Sequence, residues 1–261
     1  MGGLRIDRPA DGVAVLTLDR ASSLNALDDD LLLRELPDAL ARLADDNGVR
    51  VVVITGEGRA FCAGADLACS GFSQPSAVEA EAYMQRSHRT PVRVRGLGQT
   101  TIAALKGPVV GAGLGLALAC DFRFAGPELT IGSPFITMGL VPDYGVTYFL
   151  PRLIGTERAL DLLLTGRLLG AEEALAYGLV SRVCDDVEGE ALTFATMLAE
   201  APPAAAAMTR RNVYRSLELG LEAEVLEQEV RAQSVALFGS EFRERFAKWK
   251  DQVRDRKRAP Q

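Results

Sequence analysis

Two short glycine-bearing segments hold the residues best suited to chemistry. The first, Phe61–Leu67, reads Phe-Cys-Ala-Gly-Ala-Asp-Leu, and the second, Gly111–Gly115, reads Gly-Ala-Gly-Leu-Gly. Small residues at such turns allow a ligand to approach the main chain closely. Free N–H groups at the start of a helix also attract negative charge. Two turns of this kind could direct two backbone N–H donors at one carbonyl oxygen, which is the arrangement of an oxyanion hole.

The elements before these segments must position them. Val51–Ile54 precedes the first segment and Thr101–Leu105 precedes the second, and both runs are typical of buried strands. The second segment continues into the apolar stretch Leu116–Cys120, which indicates a helix. The alternative is that Gly64 and Gly113 only permit tight turns between strand and helix, with no ligand nearby.

Short strands alternate with helices from Leu4 to about Val183, which predicts an α/β core with helices packed on a sheet. The predicted strands are Leu4–Asp7, Val13–Leu18, Arg50–Ile54, Thr101–Leu105, Phe122–Ala125 and Leu129–Ile131. The predicted helices are Asp29–Ala44, Ala77–Leu97, Gly115–Cys120, Tyr144–Pro151 and Thr156–Leu164. From about Val187 only helices are predicted. We therefore divide the chain into an α/β core, residues 1–186, and a C-terminal helical region, residues 187–261.

Composition excludes several classes of function. The net charge of −6 over 261 residues argues against nucleic acid as the main partner. Four cysteines without C-x-x-C spacing and a single histidine argue against a zinc site. No apolar run is long enough to cross a bilayer, and the first residues lack the apolar core of a signal peptide. We expect reduced thiols and a cytoplasmic location.

Further segments lie in register with the two glycine turns. They are Leu24–Leu27, Thr55–Gly58, Ala119–Ala125, Met138–Asp143, Leu150–Gly155, Leu163–Arg167, Ala171–Ala174 and Gly178–Val180. In this order and spacing the chain resembles the crotonase superfamily, the enoyl-CoA hydratases and isomerases, over roughly residues 5–250. The resemblance implies a crotonase-like spiral of β-β-α units. It also implies that the C-terminal helices pack against neighbouring subunits in a homotrimer or a dimer of trimers.

The resemblance identifies Ala65 and Ala112 as the oxyanion-hole residues, whose N–H groups would hold a thioester carbonyl. It also implies an acyl-CoA substrate, with coenzyme A as part of that substrate and no separate cofactor. The implied substrate-binding residues are Leu24, Ala26, Ala63, Gly64, Asp66, Leu67, Gly111, Gly113, Phe135, Met138, Leu140, Tyr144 and Lys248. Asp66 would accept from adenine or would cap a helix, and Arg20 could meet phosphate.

The chain departs from the hydratase pattern at both catalytic glutamates, whose places are taken by Gly115 and Phe135. Hydration of an enoyl-CoA is therefore not expected. Asp143 lies in a Leu-x-Pro-Asp-x-Gly corner that looks like the enoyl-CoA isomerases of phenylacetate breakdown. In those relatives this aspartate moves a proton between acyl carbons, and one carboxylate suffices for that step. The alternative role for Asp143 is to cap a helix beginning at Tyr144.

His88 is most simply an exposed helix residue. However, another crotonase relative, the chlorobenzoyl-CoA dehalogenase, uses an aspartate at the Asp143 corner as a nucleophile, and a histidine of the His88 region assists hydrolysis. Three hypotheses therefore remain. The leading one is an acyl-CoA isomerase with Asp143 as acid/base. The others are a CoA-thioester hydratase or hydrolase, the latter with Asp143 as nucleophile, and a non-catalytic acyl-CoA-binding homologue.

Overall fold

The computed structural model describes residues 3–258, with side chains described for residues 3–69 and 71–250. The chain forms two compact units, the first ending at Ala199 and the second beginning at Glu200.

The strands of the first unit form two sheets. They are β1 (Leu4–Ala10), β2 (Val13–Leu18), β3 (Val51–Gly56), β4 (Thr100–Leu105), β5 (Pro108–Val110), β6 (Phe122–Ala125), β7 (Thr130–Gly132), β8 (Leu168–Gly170) and β9 (Arg182–Val183). The larger sheet has the order β1-β2-β3-β4-β6-β9, in which only the β1–β2 pair is antiparallel. The smaller sheet has the order β5-β7-β8. After β4 and again after β6, the chain adds a strand to the smaller sheet, which produces a spiral of repeated β-β units with helices between them.

Helices of the first unit cover these sheets. They are α1 (Leu36–Asp45), α2 (Ala77–Ser87), α3 (Arg89–Gly96), α4 (Ala112–Ala119), α5 (Val146–Ile154), α6 (Thr156–Thr165), α7 (Ala171–Ala176) and α8 (Val187–Ala199). A π-helical segment, Leu31–Glu35, leads into α1, and 3₁₀ segments lie at Ala21–Ser23, Ser70–Ser73 and Pro134–Met138. The strongly amphipathic α1 buries Leu36, Leu40 and Leu43, whereas every residue of α4 is buried. A helix that is apolar on all sides belongs in the core, and α4 is therefore enclosed on every side.

The main core lies between the two sheets and around α4. It includes Leu16, Ile54, Phe61 and Leu116, all of which are fully buried. A second cluster lies where α8 packs on the larger sheet, with Val53, Ile102 and Phe124 against Ala191 and Ala195. Because α8 packs on this sheet, the compact division falls at Ala199 rather than at the predicted residue 186.

The α/β core and its helical C-terminal region are confirmed. Several helices and strands begin or end at residues other than the predicted ones. The predicted helix Ala77–Leu97 is wrong, because α2 ends and α3 begins at His88. Pro91 explains the break: it lacks the N–H that would bond to the carbonyl of Ser87 in a continuous helix. Three short strands, β5, β8 and β9, are absent from the predicted set, since runs of two or three residues carry little periodic pattern.

The second unit consists of helices. They are α9 (Pro203–Ser216), the π-helical segment Ala223–Glu229, α10 (Val230–Phe238) and α11 (Ser240–Arg258). The predicted apolar stripe Leu217, Leu221, Val225 and Leu226 is exposed in this chain, as is Phe238. Across the described residues, no helix is both long and apolar enough to cross a membrane. The same residues contain no cluster of three or more His, Cys, Asp or Glu side chains able to hold a metal ion.

Candidate active site

The two glycine segments lie side by side. Cys62 N donates to Pro108 O at 3.1 Å, and Val110 N donates to Cys62 O at 3.0 Å. These bonds bring the first segment against β5, directly before the second segment. A Cβ atom at Gly113 would overlap the Cys62 carbonyl oxygen, so glycine is required there by close approach. The glycines therefore permit tight turns, and the two turns lie next to each other.

Ala65 and Ala112 each present a free N–H group. Leu27 N bonds to Gly64 O and Asp66 N bonds to Leu27 O, both at 2.8 Å, so the main chain of Ala65 itself faces away from Leu27. Ala112 is the first residue of α4. Neither N–H has an acceptor within the described part of the chain. Both residues line one cavity, where two such donors can stabilise a negatively charged oxygen.

Asp143 and His88 form a pair on the wall of the same cavity. His88 Nε2 lies 3.0 Å from Asp143 Oδ2, with side-chain exposures of 27% and 35%. The His88 ring also lies edge-on to the Tyr144 ring, at a centroid distance of 5.4 Å. His88 therefore does not lie on an exposed helix face, and the simplest expectation for it is wrong. It occupies the junction between α2 and α3, from which its side chain reaches Asp143.

Ser87 contacts the other nitrogen of the His88 ring. Its hydroxyl lies 3.0 Å from His88 Nδ1 and 3.3 Å from Met84 O, and the residue is 1% exposed. One hydroxyl proton can serve only one of these two acceptors. A neutral ring that donates from Nε2 to Asp143 leaves Nδ1 to accept from Ser87. Ser87, His88 and Asp143 thus form a continuous chain of polar groups.

The alternative role of Asp143 as a helix cap is wrong. Helix α5 begins at Val146, its N-cap residue is Gly145, and no side chain caps it. Asp143 contributes only its main-chain carbonyl, which accepts from Val146 N at 3.0 Å. Its carboxylate is therefore not needed for the helix start, and it faces the cavity instead.

The corner after Asp143 is held in an uncommon conformation. Tyr144 is 2% exposed and has φ +53°, a left-handed conformation that is unusual for a bulky residue. Its carbonyl oxygen packs against α4 so closely that a Cβ atom at Gly115 would overlap it. The Asp143 corner therefore occupies the space next to Gly115, where the hydratase pattern has a glutamate. Burial also raises the pKa of the Tyr144 hydroxyl, which remains protonated.

The cavity encloses about 520 Å³, and most of its wall is apolar. Its described lining residues are Leu32, Ala65, Cys69, Gly71, Phe72, Tyr83, Met84, Ser87, His88, Ala112, Phe135, Leu140, Val141, Asp143 and Tyr144. Six predicted site residues therefore come together here: Ala65, Ala112, Phe135, Leu140, Asp143 and Tyr144. Met138 is not among the lining residues and is 54% exposed, because it ends the short 3₁₀ segment before the corner.

The other predicted binding residues lie outside this wall. Ala63 N donates to Leu24 O at 3.0 Å, so the two segments predicted to hold coenzyme A adjoin each other. Arg20 Nη2 lies 3.3 Å from carboxylate oxygens of both Asp28 and Asp66, and it binds within the chain. Of the remaining predicted residues, Ala26, Gly64, Gly111 and Gly113 shape the turns, Leu67 is 71% exposed, and Lys248 lies exposed on α11 of the second unit.

Sequence reasoning missed a polar group at another part of the cavity. Tyr83 donates its hydroxyl proton to Asp29 Oδ1 at 2.7 Å, and Cys69 Sγ lies 3.2 Å from Leu27 O. Burial raises the pKa of the Cys69 thiol to about 11 and raises the pKa of Tyr83 as well. Tyr83, Met84, Ser87 and His88 fall at helical spacing on one face, which is the signal that could have identified them.

Comparison with known proteins shows which proteins this chain resembles. Residues 8–253 match the sequence profile of the family described as Enoyl-CoA hydratase/isomerase. A probable enoyl-CoA hydratase, echA12, of Mycobacterium leprae is 37% identical over 93% of this chain and 85% of its own length. A 4-chlorobenzoyl coenzyme A dehalogenase of an Arthrobacter species is 33% identical over 91% of this chain and 87% of its own. The crystal structure of an enoyl-CoA hydratase from Bacillus anthracis superimposes with a TM-score of 0.90 at 31% identity, covering 96% and 97% of the two chains.

Proposed function

The chain belongs to the enoyl-CoA hydratase/isomerase family and has its crotonase fold, and from that premise we propose that it shifts a double bond in an acyl-CoA thioester with Asp143 as the acid/base. One observation carries the proposal. Within the described part of the chain, Asp143 is the one carboxylate among the residues that line the cavity, and Ala65 and Ala112 line that same cavity. We prefer isomerisation to hydration because of the side chains that line the cavity.

The oxyanion hole provides the first half of the reaction. A thioester carbonyl placed between the N–H groups of Ala65 and Ala112 would accept two hydrogen bonds, which strengthen as the oxygen becomes an enolate. Each donor of this kind lowers a barrier by roughly 3 kcal/mol. The position of Ala112 at the N-terminus of α4 adds the favourable end of a helix dipole.

Asp143 provides the second half. Its carboxylate removes a proton from one carbon of the acyl chain, and the electrons of the broken C–H bond pass to the thioester oxygen as a dienolate. The protonated carboxyl then returns the proton to another carbon, and the double bond has moved. The reaction requires neither a water molecule nor a second carboxylate. The bond from His88 engages Oδ2, so we expect Oδ1 to exchange the proton.

Hydration is disfavoured by the same geometry. A glutamate at position 115 would overlap the Tyr144 carbonyl, and Phe135 fills the second glutamate position with a ring. Phe135 packs toward the glycine turn, with its Cζ 3.5 Å from where a Cβ on Gly111 would lie. Neither position offers a carboxylate to hold a water molecule.

Deuterium exchange tests the proposal. The protein and its Asp143→Asn variant are incubated in deuterated water with 2- and 3-enoyl-CoA thioesters, and label and double-bond position are followed by mass spectrometry and NMR. We expect bond migration with label uptake, and a loss of about a thousandfold in Asp143→Asn with thioester affinity retained. Asp45→Asn, which changes an exposed carboxylate of α1, serves as the matched control. Binding without exchange in either protein would favour the non-catalytic homologue.

A second candidate is favoured by the contact between His88 and Asp143. In this reaction an Asp143 oxygen attacks an acyl-ring carbon, and a halide leaves with its bonding electrons. Water, deprotonated by His88, then adds to the Asp143 carboxyl carbon, and the product departs as a hydroxylated thioester. The 33% identity to the 4-chlorobenzoyl coenzyme A dehalogenase supports this candidate.

Oxygen labelling separates the two candidates. A single turnover of a halogenated aryl-CoA in oxygen-18 water should place the label in the Asp143 carboxylate if that residue is the nucleophile, which peptide mass spectrometry detects. Isomerisation leaves Asp143 unlabelled. If the Asp143 carboxylate still becomes labelled in a His88→Ala variant, His88 is not required for the hydrolytic step.

For assembly, we propose that the second unit builds a homotrimer or a dimer of trimers, with Lys248 near the nucleotide of an adjoining subunit. Large apolar side chains on this unit support the proposal, since Leu221 is 83% and Phe238 is 85% exposed in the isolated chain. Sedimentation equilibrium tests it. A wild-type mass equal to one chain would contradict it, and Phe238→Glu should shift the mass toward that of one chain.

A further inference from the structure

The cavity has a second polar group, separate from the Asp143–His88 pair. Tyr83 and Cys69 both line the wall, and each interacts with Asp29 in the surrounding shell. Tyr83 is only 9% exposed. A Cβ atom on Gly71 would overlap the Tyr83 ring, so the ring is held tightly against the main chain at that residue. This packing therefore fixes the position of the Tyr83 hydroxyl.

This group has no proton left to donate and can only accept further hydrogen bonds. Tyr83 has a single hydroxyl proton, and Asp29 Oδ1 accepts it at 2.7 Å. The Cys69 thiol lies against Leu27 O at 3.2 Å, which takes its proton. The phenolic oxygen and the sulfur also interact with each other, and each has a further lone pair with which to accept. A phenol that donates to a carboxylate is a stronger acceptor. Because Tyr83 and Cys69 line the cavity and both of their protons are already engaged, a ligand can bond to this group only as a donor.

We propose that Tyr83 is the centre of a polar subsite that selects acyl-CoA thioesters whose acyl chain or ring carries a hydroxyl group, and this inference rests on the acyl-CoA binding proposed above. A hydroxyl group donates to the Tyr83 oxygen and replaces the hydrogen bond that it loses on leaving water. A methyl group at the same place leaves the oxygen unpaired, which costs affinity. Tyr83 thus acts as a specificity residue.

The helix that carries both groups sets the position of that hydroxyl. Tyr83 lies on α2, five residues before His88, which caps the end of that helix, and this spacing corresponds to about 7.5 Å along the helix axis. Asp143 contacts His88, so the reacting carbons belong near that end of the cavity. The hydroxyl therefore belongs on the distal part of the acyl group, several bonds from the thioester.

Binding of matched ligand pairs tests the inference. The probes are saturated acyl-CoA thioesters, which have no double bond to move, in a series of increasing chain length ending in either a hydroxyl or a methyl group. A para-hydroxyphenyl and a para-methylphenyl thioester complete the set. Isothermal titration should show that the hydroxyl member of one pair binds about fivefold tighter or more. In Tyr83→Phe, which keeps the ring and its contact with Gly71, that ratio should fall to about one.

Tyr148→Phe is the matched control, because it removes a tyrosine hydroxyl that does not line the cavity. The ratio should be unchanged in this variant. The subsite is refuted if no hydroxyl member binds better than its methyl partner, or if the preference persists in Tyr83→Phe. Either result leaves the deuterium-exchange test of Asp143 intact. Absence of binding by every thioester would remove both the subsite and the proposed function.

Discussion

The two walls of the cavity are built from different parts of the chain. One wall presents main-chain N–H groups, at Ala65 and Ala112, on turns that adjoin each other through the bonds of Cys62 to β5. The other presents side chains, His88 and Asp143, which are about one third exposed and lie at a helix junction and in a corner. The first wall can stabilise negative charge on any thioester carbonyl. In the proposed reaction, the second wall determines which bond changes at the carbon next to that carbonyl.

In the proposed function, the main-chain donors therefore bind the thioester and the side-chain pair sets the reaction. A main-chain donor keeps its chemistry through almost every substitution, since all residues except proline carry the N–H. A side-chain pair changes its chemistry with one substitution. The first wall follows the pattern of the family that the sequence resembles, whereas Gly115 and Phe135, beside the second, depart from the hydratase pattern. Variants of the two walls should therefore fail in different ways.

After Asp143→Asn, the largest effect is expected for Ala112→Pro. Proline suits the first position of a helix and removes the N–H that a thioester oxygen would accept. We expect turnover to fall by about a hundred- to a thousandfold with any thioester that the protein converts, while α4 keeps its structure. Rates of bond migration, with circular dichroism for the fold, provide the measurement.

Thr156→Pro is the control for this change. It also places proline at the first position of a helix, directly after a glycine of positive φ, but at an exposed site outside the cavity. Its turnover should match that of the wild type. Equal losses in both variants would show that proline acts through stability and that Ala112 is not a donor.

The next effect is expected where the two walls touch, in Gly115→Ala. The added Cβ atom overlaps the Tyr144 carbonyl, so the Asp143 corner must move away from α4. We expect a stability loss of about 1–3 kcal/mol and a reduction in turnover of about a hundredfold. Urea unfolding and initial rates measure the two losses. Gly98→Ala, at a glycine with nothing within 4 Å of the added Cβ, should show neither.

Both residues of the first wall were identified from the sequence, whereas the contact that forms the second wall was not. Glycine turns after strands are local patterns, and each required position, such as Gly113, lies within its own segment. The second wall joins His88 to Asp143, which are distant in sequence. Their contact depends on the end of α2, and that end depends on Pro91. Because one continuous helix is predicted over Ala77–Leu97, the simplest expectation places His88 on an exposed face and not in the site.

A smaller effect, and a more discriminating one, is expected at His88. For isomerisation, His88→Ala should lower turnover by about tenfold, because Asp143 loses one hydrogen bond that orients it. His88→Gln, which can still donate to Asp143, should recover most of that loss. For hydrolysis through an Asp143 ester, both variants should stop turnover after the ester forms. Rapid-quench kinetics with mass spectrometry of Asp143 peptides distinguishes these patterns.

The smallest effect is expected for Ser87→Ala, and the single histidine of the chain makes it measurable. The Ser87 hydroxyl can donate to Nδ1 only if the His88 proton is on Nε2, facing Asp143. Removing that hydroxyl should lower kcat by about threefold with KM unchanged, because both groups that it contacts, His88 Nδ1 and Met84 O, belong to the protein. In protein labelled with nitrogen-15 histidine, the one imidazole spectrum should show Nδ1 as an acceptor in the wild type and shift in Ser87→Ala. Ser216→Ala, an exposed helix serine of the second unit, controls for loss of a hydroxyl bonded to a carbonyl. An unchanged Nδ1 signal in Ser87→Ala would place its hydroxyl proton on Met84 O, and the polar chain would then end at His88.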